Sequence, residues 1–132
     1  DLGWRLLLVG WLNYFLPSCA AYHWRAASGK EKSSDYQTAR NRNSKSSFIN
    51  YLSYRNHWLM ISKNEFRSNL LLHAPWFWLY ELKKFAYIIF FEPKTLKALI
   101  DISNLSAQNK IKRQYIMSRR KTSKKEMQKW FT

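Results

Sequence analysis

A mainly helical chain of the α/β class is predicted by three observations. Apolar residues recur three and four apart through most of the sequence, as they do along the buried stripe of a helix. Only between Asn13 and Trp24 does the pattern shorten into strand-like pieces, broken at Pro17. A polar stretch from Ala26 to Ser47 then separates that opening from the aromatic and basic remainder.

Residues 1–11 are predicted as a helix, because Leu2, Leu6, Val9 and Leu7, Trp11 repeat on its face. Asp1 suits its N-cap or first turn, and Gly10 suits its end. Tyr14, Leu16, Cys19, Ala21, Tyr22 and Trp24 predict one or two short strands ending near His23. In a compact domain, a polar run as long as 26–47 is usually a functional or mobile loop. Phe48, Tyr51, Leu52, Tyr54, Trp58, Leu59 and Ile61 predict a helix from about Lys45 to Glu65. Pro75 marks a further helix start inside the aromatic stretch 66–92, which Arg67, Glu81, Lys83 and Lys84 interrupt. Another helix is expected from Pro93 to Leu105, and the tail from Lys110 to Lys129 holds nine Lys/Arg against the single acid Glu126.

The 132 residues carry 23 Lys+Arg and 8 Asp+Glu, a formal charge of +15, with 46% hydrophobic and 17% aromatic residues. That apolar content excludes a disordered basic tail, and the single cysteine, Cys19, excludes a disulfide scaffold or a cysteine-ligated metal. No apolar run reaches the ~18–20 residues that span a bilayer. The acidic opening is not expected to be a secretory leader, and the chain is expected to be the C-terminal piece of something longer. Two acidic polymers answer such a charge, nucleic acid and an anionic membrane. The aromatics gather at 76–91 beside long aliphatics while the basic cluster lies downstream. This favours an interfacial helix over a base-stacking platform, so nucleic acid is the disfavoured partner. The competing reading makes the same aromatics plain core.

The residues alone show no complete active site. His23 stands just before the polar loop with no second ligand at i+4, while His57 and His73 fall inside helical patterns as packing or surface groups. No serine sits in a tight glycine-flanked turn, and three glycines make no phosphate-cradling loop.

An ordered set of short motifs adds to this. Asp1-Leu2-Gly3-Trp4-Arg5, Gly10-Trp11, Pro17, Tyr22-His23 and Ser28 resemble the end of the catalytic domain of family 2 glycosyltransferases. Tyr54-Arg55-Asn56-His57 followed by Lys63-Asn64 resembles a helix of bacterial rhamnosyltransferase-like members, although His57 stands where Arg is common. The matched stretches cover about residues 1–65.

The resemblance implies a GT-A fold and inverting transfer from a nucleotide-diphosphate sugar, dTDP-rhamnose being one donor, to a polyprenyl-linked or polysaccharide acceptor. Residues 1–47 would then be the C-terminal part of the catalytic domain, 48–109 an aromatic-rich interfacial extension and 110–132 a basic tail. Asp1 matches the last acid of the motif whose catalytic base would lie just upstream. It either positions substrate or caps its helix. Trp4, Arg5, Ser28, Arg55 and Lys63 are the implied substrate-binding residues, and His23 the implied ligand of Mg²⁺ or Mn²⁺. Arg5 contacts the diphosphate or pairs with Asp1. Arg55 and Lys63, eight apart on one helix, meet a phosphate or line a solvated face. The Ser28–Asp35 loop, with Lys30 and Lys32, is a lid or an ordinary surface loop. The implied location is cytoplasmic, peripheral on the inner face of the plasma membrane. The alternative from another class is a non-enzymatic basic module for membrane or nucleic acid.

Overall fold

The computed structural model describes residues 1–14, 16–18 and 34–129. Eight α-helices and one 3-10 turn form among them, and no strand does. The mainly helical expectation therefore holds. The part of the strand expectation at residues 13, 14 and 16–18 is not met, and the remainder, with His23, lies outside the described residues.

Helix α1 spans Leu2–Leu8, shorter than the periodicity predicts. Gly10 explains the stop, since its φ of 89° is a left-handed conformation that glycine adopts without a Cβ clash. The Gly10 N–H reaches the Leu7 carbonyl at 3.0 Å and the Trp11 N–H the Leu6 carbonyl at 2.9 Å, which closes the helix end. Helix α2, Asp35–Asn43, is capped by the Ser34 hydroxyl, which accepts from the Gln37 N–H. Helix α3 runs Ser47–Asn64, close to its predicted bounds, because the Ser46 hydroxyl accepts from the Ile49 N–H and fixes its start.

Helix α4 spans Arg67–Leu72 and α5 spans Ala74–Phe91. Pro75 lies in the first turn of α5, where its missing N–H costs nothing, and Pro93 bars the helical conformation at Glu92. The single helix expected over 93–105 divides into a 3-10 turn, Pro93–Leu96, and α6, Lys97–Asn104. The basic region is also helical: α7 covers Ser106–Ser118 and α8 Lys124–Gln128, the latter started by a reciprocal Ser123–Glu126 capping box.

Helix α3 is the axis of the fold, lying against α6, α7, the 3-10 turn and the start of α1. Two small apolar clusters result. Leu8, Phe66 and Met127 pack with Trp4, Leu7, Ile116 and Met117, while Tyr54, Ile88 and Ala98 pack with Tyr51, Trp58 and Leu96. Polar clamps join the elements. Arg42 of α2 forms a two-pronged pair with Glu92 at 2.5 and 2.9 Å, and Arg113 of α7 donates to the Ser62 carbonyl at the end of α3 at 2.9 Å. Lys121 and Thr122 donate their N–H groups to the Leu8 carbonyl, tying the basic region back to α1.

Candidate functional site

Asp1 begins α1, yet its side chain makes no cap bond to that helix. Instead the carboxylate turns to the end of α3. Its Oδ1 accepts from Asn64 Nδ2 at 2.7 Å, its Oδ2 meets Lys63 Nζ at 2.9 Å, and Arg5 Nε stands 3.6 Å from Oδ1. Asn64 is fully buried, which gives the clasp a fixed floor. Burial lowers the Lys63 ammonium from its ordinary pKa, and the nearby Arg5 charge adds to that. Three of the implied site residues, Asp1, Arg5 and Lys63, thus come together, and Asn64 joins them.

The others divert. Trp4 lines a cleft of about 410 Å³ with His57, Glu65, Asn69, His73 and Trp76. Arg55 shares α3 with Lys63 but does not join it: eight residues of helix separate them by about 12 Å. Its guanidinium sits 5.4 Å from the Tyr51 ring centroid and donates to the Tyr51 hydroxyl at 3.2 Å, and that hydroxyl also bonds Asp101. Arg55 therefore steadies the Tyr51 hydroxyl that links α3 to α6. His23 and Ser28, like Lys30 and Lys32, lie outside the described residues.

Two groups escape the sequence reading. His57 Nε2 is 2.8 Å from Glu81 Oε1 on α5, and Glu81 is almost wholly buried with its second oxygen unpaired. The one signal for this pair is a lone acid inside an aromatic run, since the partners are 24 residues apart. Glu65 closes the floor of the cleft, and burial pushes its carboxyl above the ordinary 4.5, against the opposing Phe66 N–H bond, the Asn69 amide, His73 and Arg113.

For Glu65 the folded state holds its proton more tightly than the unfolded chain. Its contribution to stability is present below the unfolded pKa and lost as pH rises through the higher folded value. Glu65→Gln should thus flatten the stability difference between acid and neutral pH, and gain most against the parent at neutral pH. Thermal melts of both proteins across the range above 4.5 check this. A parallel pair of curves contradicts it.

Among the described residues, no three His, Cys, Asp or Glu side chains gather as a cation site. Both oxygens of Asp1 are engaged by donors, and the implied ligand His23 lies outside the described residues. No protein-family model, curated protein or solved structure gives a significant match to the chain.

Proposed function

We propose that this chain forms the acceptor-side end of an inverting glycosyltransferase that works against an anionic membrane surface. The observation that carries the reading is the clasp of Asp1 by Lys63 and Asn64. Two motifs that resemble the same family, one at each end of the matched stretch, meet in space across 62 residues of sequence. In this reading the catalytic base precedes Asp1, and Arg5, Lys63 and Asn64 orient the Asp1 carboxylate. The base removes the acceptor hydroxyl proton, and the oxygen attacks the anomeric carbon in line with the departing diphosphate, which inverts that centre. His23 stays the assigned holder of Mg²⁺ or Mn²⁺. A nucleotide sugar such as dTDP-rhamnose is the donor and a polyprenyl-linked saccharide the acceptor, with the protein peripheral on the cytoplasmic face.

The coding frame upstream of Asp1 tests this cheaply. A Glu-Asp pair immediately before Asp1 and an Asp-x-Asp motif further upstream support it, and an unrelated sequence there sinks it.

The second reading, a membrane-binding segment without chemistry, is favoured by a separate observation. Helix α5 buries only a narrow stripe and leaves Trp76, Leu79, Tyr80, Leu82, Phe90 and Phe91 exposed. Such a patch on a chain of charge +15 suits an anionic interface. Among the described residues no helix is long and apolar enough to cross a membrane. The two readings share the surface and part at the clasp.

A further inference from the structure

Trp58 of α3 and Trp78 and Phe85 of α5 stand around a cavity of about 200 Å³, whose lining Tyr54, Glu81 and Leu82 complete. Ring contacts fix its walls. Trp58 meets Trp78 at a centroid distance of 6.2 Å and Phe77 edge-to-face at 6.0 Å, and Phe77 meets Trp78 edge-to-face at 5.5 Å. Trp78 and Leu82 are 58% and 65% exposed, which places the opening at these two and the floor at the buried Tyr54 and Glu81.

Both contacts of the Glu81 carboxylate fall on one oxygen: His57 Nε2 lies 2.8 Å and Lys84 Nζ 3.8 Å from Oε1. Oε2 is enclosed and has no hydrogen-bond partner among the described residues, in a side chain only 3% exposed. A buried acceptor left in this way forfeits a charge-assisted bond, so the position favours a donor from outside the chain. The surroundings narrow the choice of donor. A cation would enter beside Lys84, whose ammonium burial already lowers from its ordinary pKa, with Glu81 opposing and Arg42 adding. An anion would meet the Glu81 carboxylate itself. A molecule with many hydroxyls would bring several donors to one open acceptor and leave the rest unpaired against aromatic walls. A buried water needs roughly 2–4 polar partners, which walls of this kind withhold. A neutral, flat, apolar body with one donor meets every one of these conditions.

We infer that the cavity between α3 and α5 binds a small phenol, its ring held among Trp58, Trp78 and Phe85 and its hydroxyl donating to Glu81 Oε2. The bond from a phenolic O–H to a carboxylate is charge-assisted and stronger than one between neutral groups. Offset or edge-on contacts of the ring with the indole and phenyl walls add to it. The inference goes beyond the proposed function and does not rest on it.

The test is titration of the 132-residue chain, without vesicles, with phenol and with toluene, which has nearly the same shape and no donor. The indole N–H signals of Trp58 and Trp78 report occupancy by NMR. Phenol should bind at least about tenfold more tightly than toluene, as a hydrogen bond to a charged group provides. Glu81→Gln keeps the shape and removes the charge of the acceptor, and should cut that preference to about threefold. Trp78→Ala, at an exposed wall that the fold does not bury, should weaken both probes and serves where Glu81→Gln disturbs folding. Equal binding of phenol and toluene makes the cavity an apolar void and overturns the inference. A preference that survives Glu81→Gln, or phenol binding that survives Trp78→Ala, overturns it too. Benzylamine that binds more tightly than phenol assigns the cavity to cations, and no shift from any probe leaves it to water; either result overturns the inference.

Discussion

Replacing Trp76, Leu79 and Phe90 together with serine is expected to release the protein from anionic vesicles. Trp76 and Phe90 are 78% and 77% exposed, so the substitutions leave both apolar clusters untouched. Moving a large apolar side chain out of water is worth about 1.5–3 kcal/mol when it is complete. Three such chains, only partly inserted at an interface, still amount to about 4 kcal/mol, or about three orders of magnitude in partition. The basic residues add an electrostatic part that salt screens, so the variant should retain a weak, salt-sensitive binding. Sedimentation with vesicles at low and at moderate salt checks both halves. Unchanged partition of the variant would return the α5 face to the role of a covered core.

The second large effect concerns stability. Ile88→Ala should cost about 2–5 kcal/mol, since Ile88 is wholly buried and joins Tyr54 and Ala98 in a cluster with few members to collapse into the space. Its neighbour Ile89 is 44% exposed, and Ile89→Ala should change stability by less than about 1 kcal/mol. Denaturant melts of the two variants check the register of α5 directly. Similar losses at both positions would mean that α5 is rotated from the orientation described. With two small clusters among the described residues, a loss at the upper end of the range for Ile88→Ala is a large fraction of the stability of any domain this size.

Much of the helical layout was legible locally. Ser46 caps α3 where the apolar period begins, and Pro75 and Pro93 bracket α5 as helix-starting and helix-ending residues do. Gly10 marked the end of α1, although periodicity alone carried that helix too far. The basic region was harder to read. Its many charges hide the apolar side of α7, where Ile116 and Met117 pack against the Leu8 cluster, and the polar caps that Asn109 and Arg113 supply to α3.

Of the implied site residues, Asp1, Arg5 and Lys63 come together, and only one of their pairings follows from local spacing. The Asp1–Arg5 contact follows from a four-residue helical step, so local spacing predicts it. The Asp1–Lys63 and His57–Glu81 contacts join residues 62 and 24 apart, and no local period links them. Conversely, the eight-residue step from Arg55 to Lys63 left open a shared phosphate or a solvated helix face. The structure spends Arg55 on Tyr51 and Lys63 on Asp1 instead.

The most direct measurement is transfer of labelled sugar from nucleotide-diphosphate donors to a polyprenyl-linked acceptor in anionic vesicles, using the protein that carries this chain and its Asp1→Ala variant. The expected result is transfer with inversion at the anomeric carbon, reduced about a hundredfold or more in the variant through loss of an oriented charge in the site. Absence of transfer from every nucleotide sugar offered, or a variant as active as the parent, would contradict it.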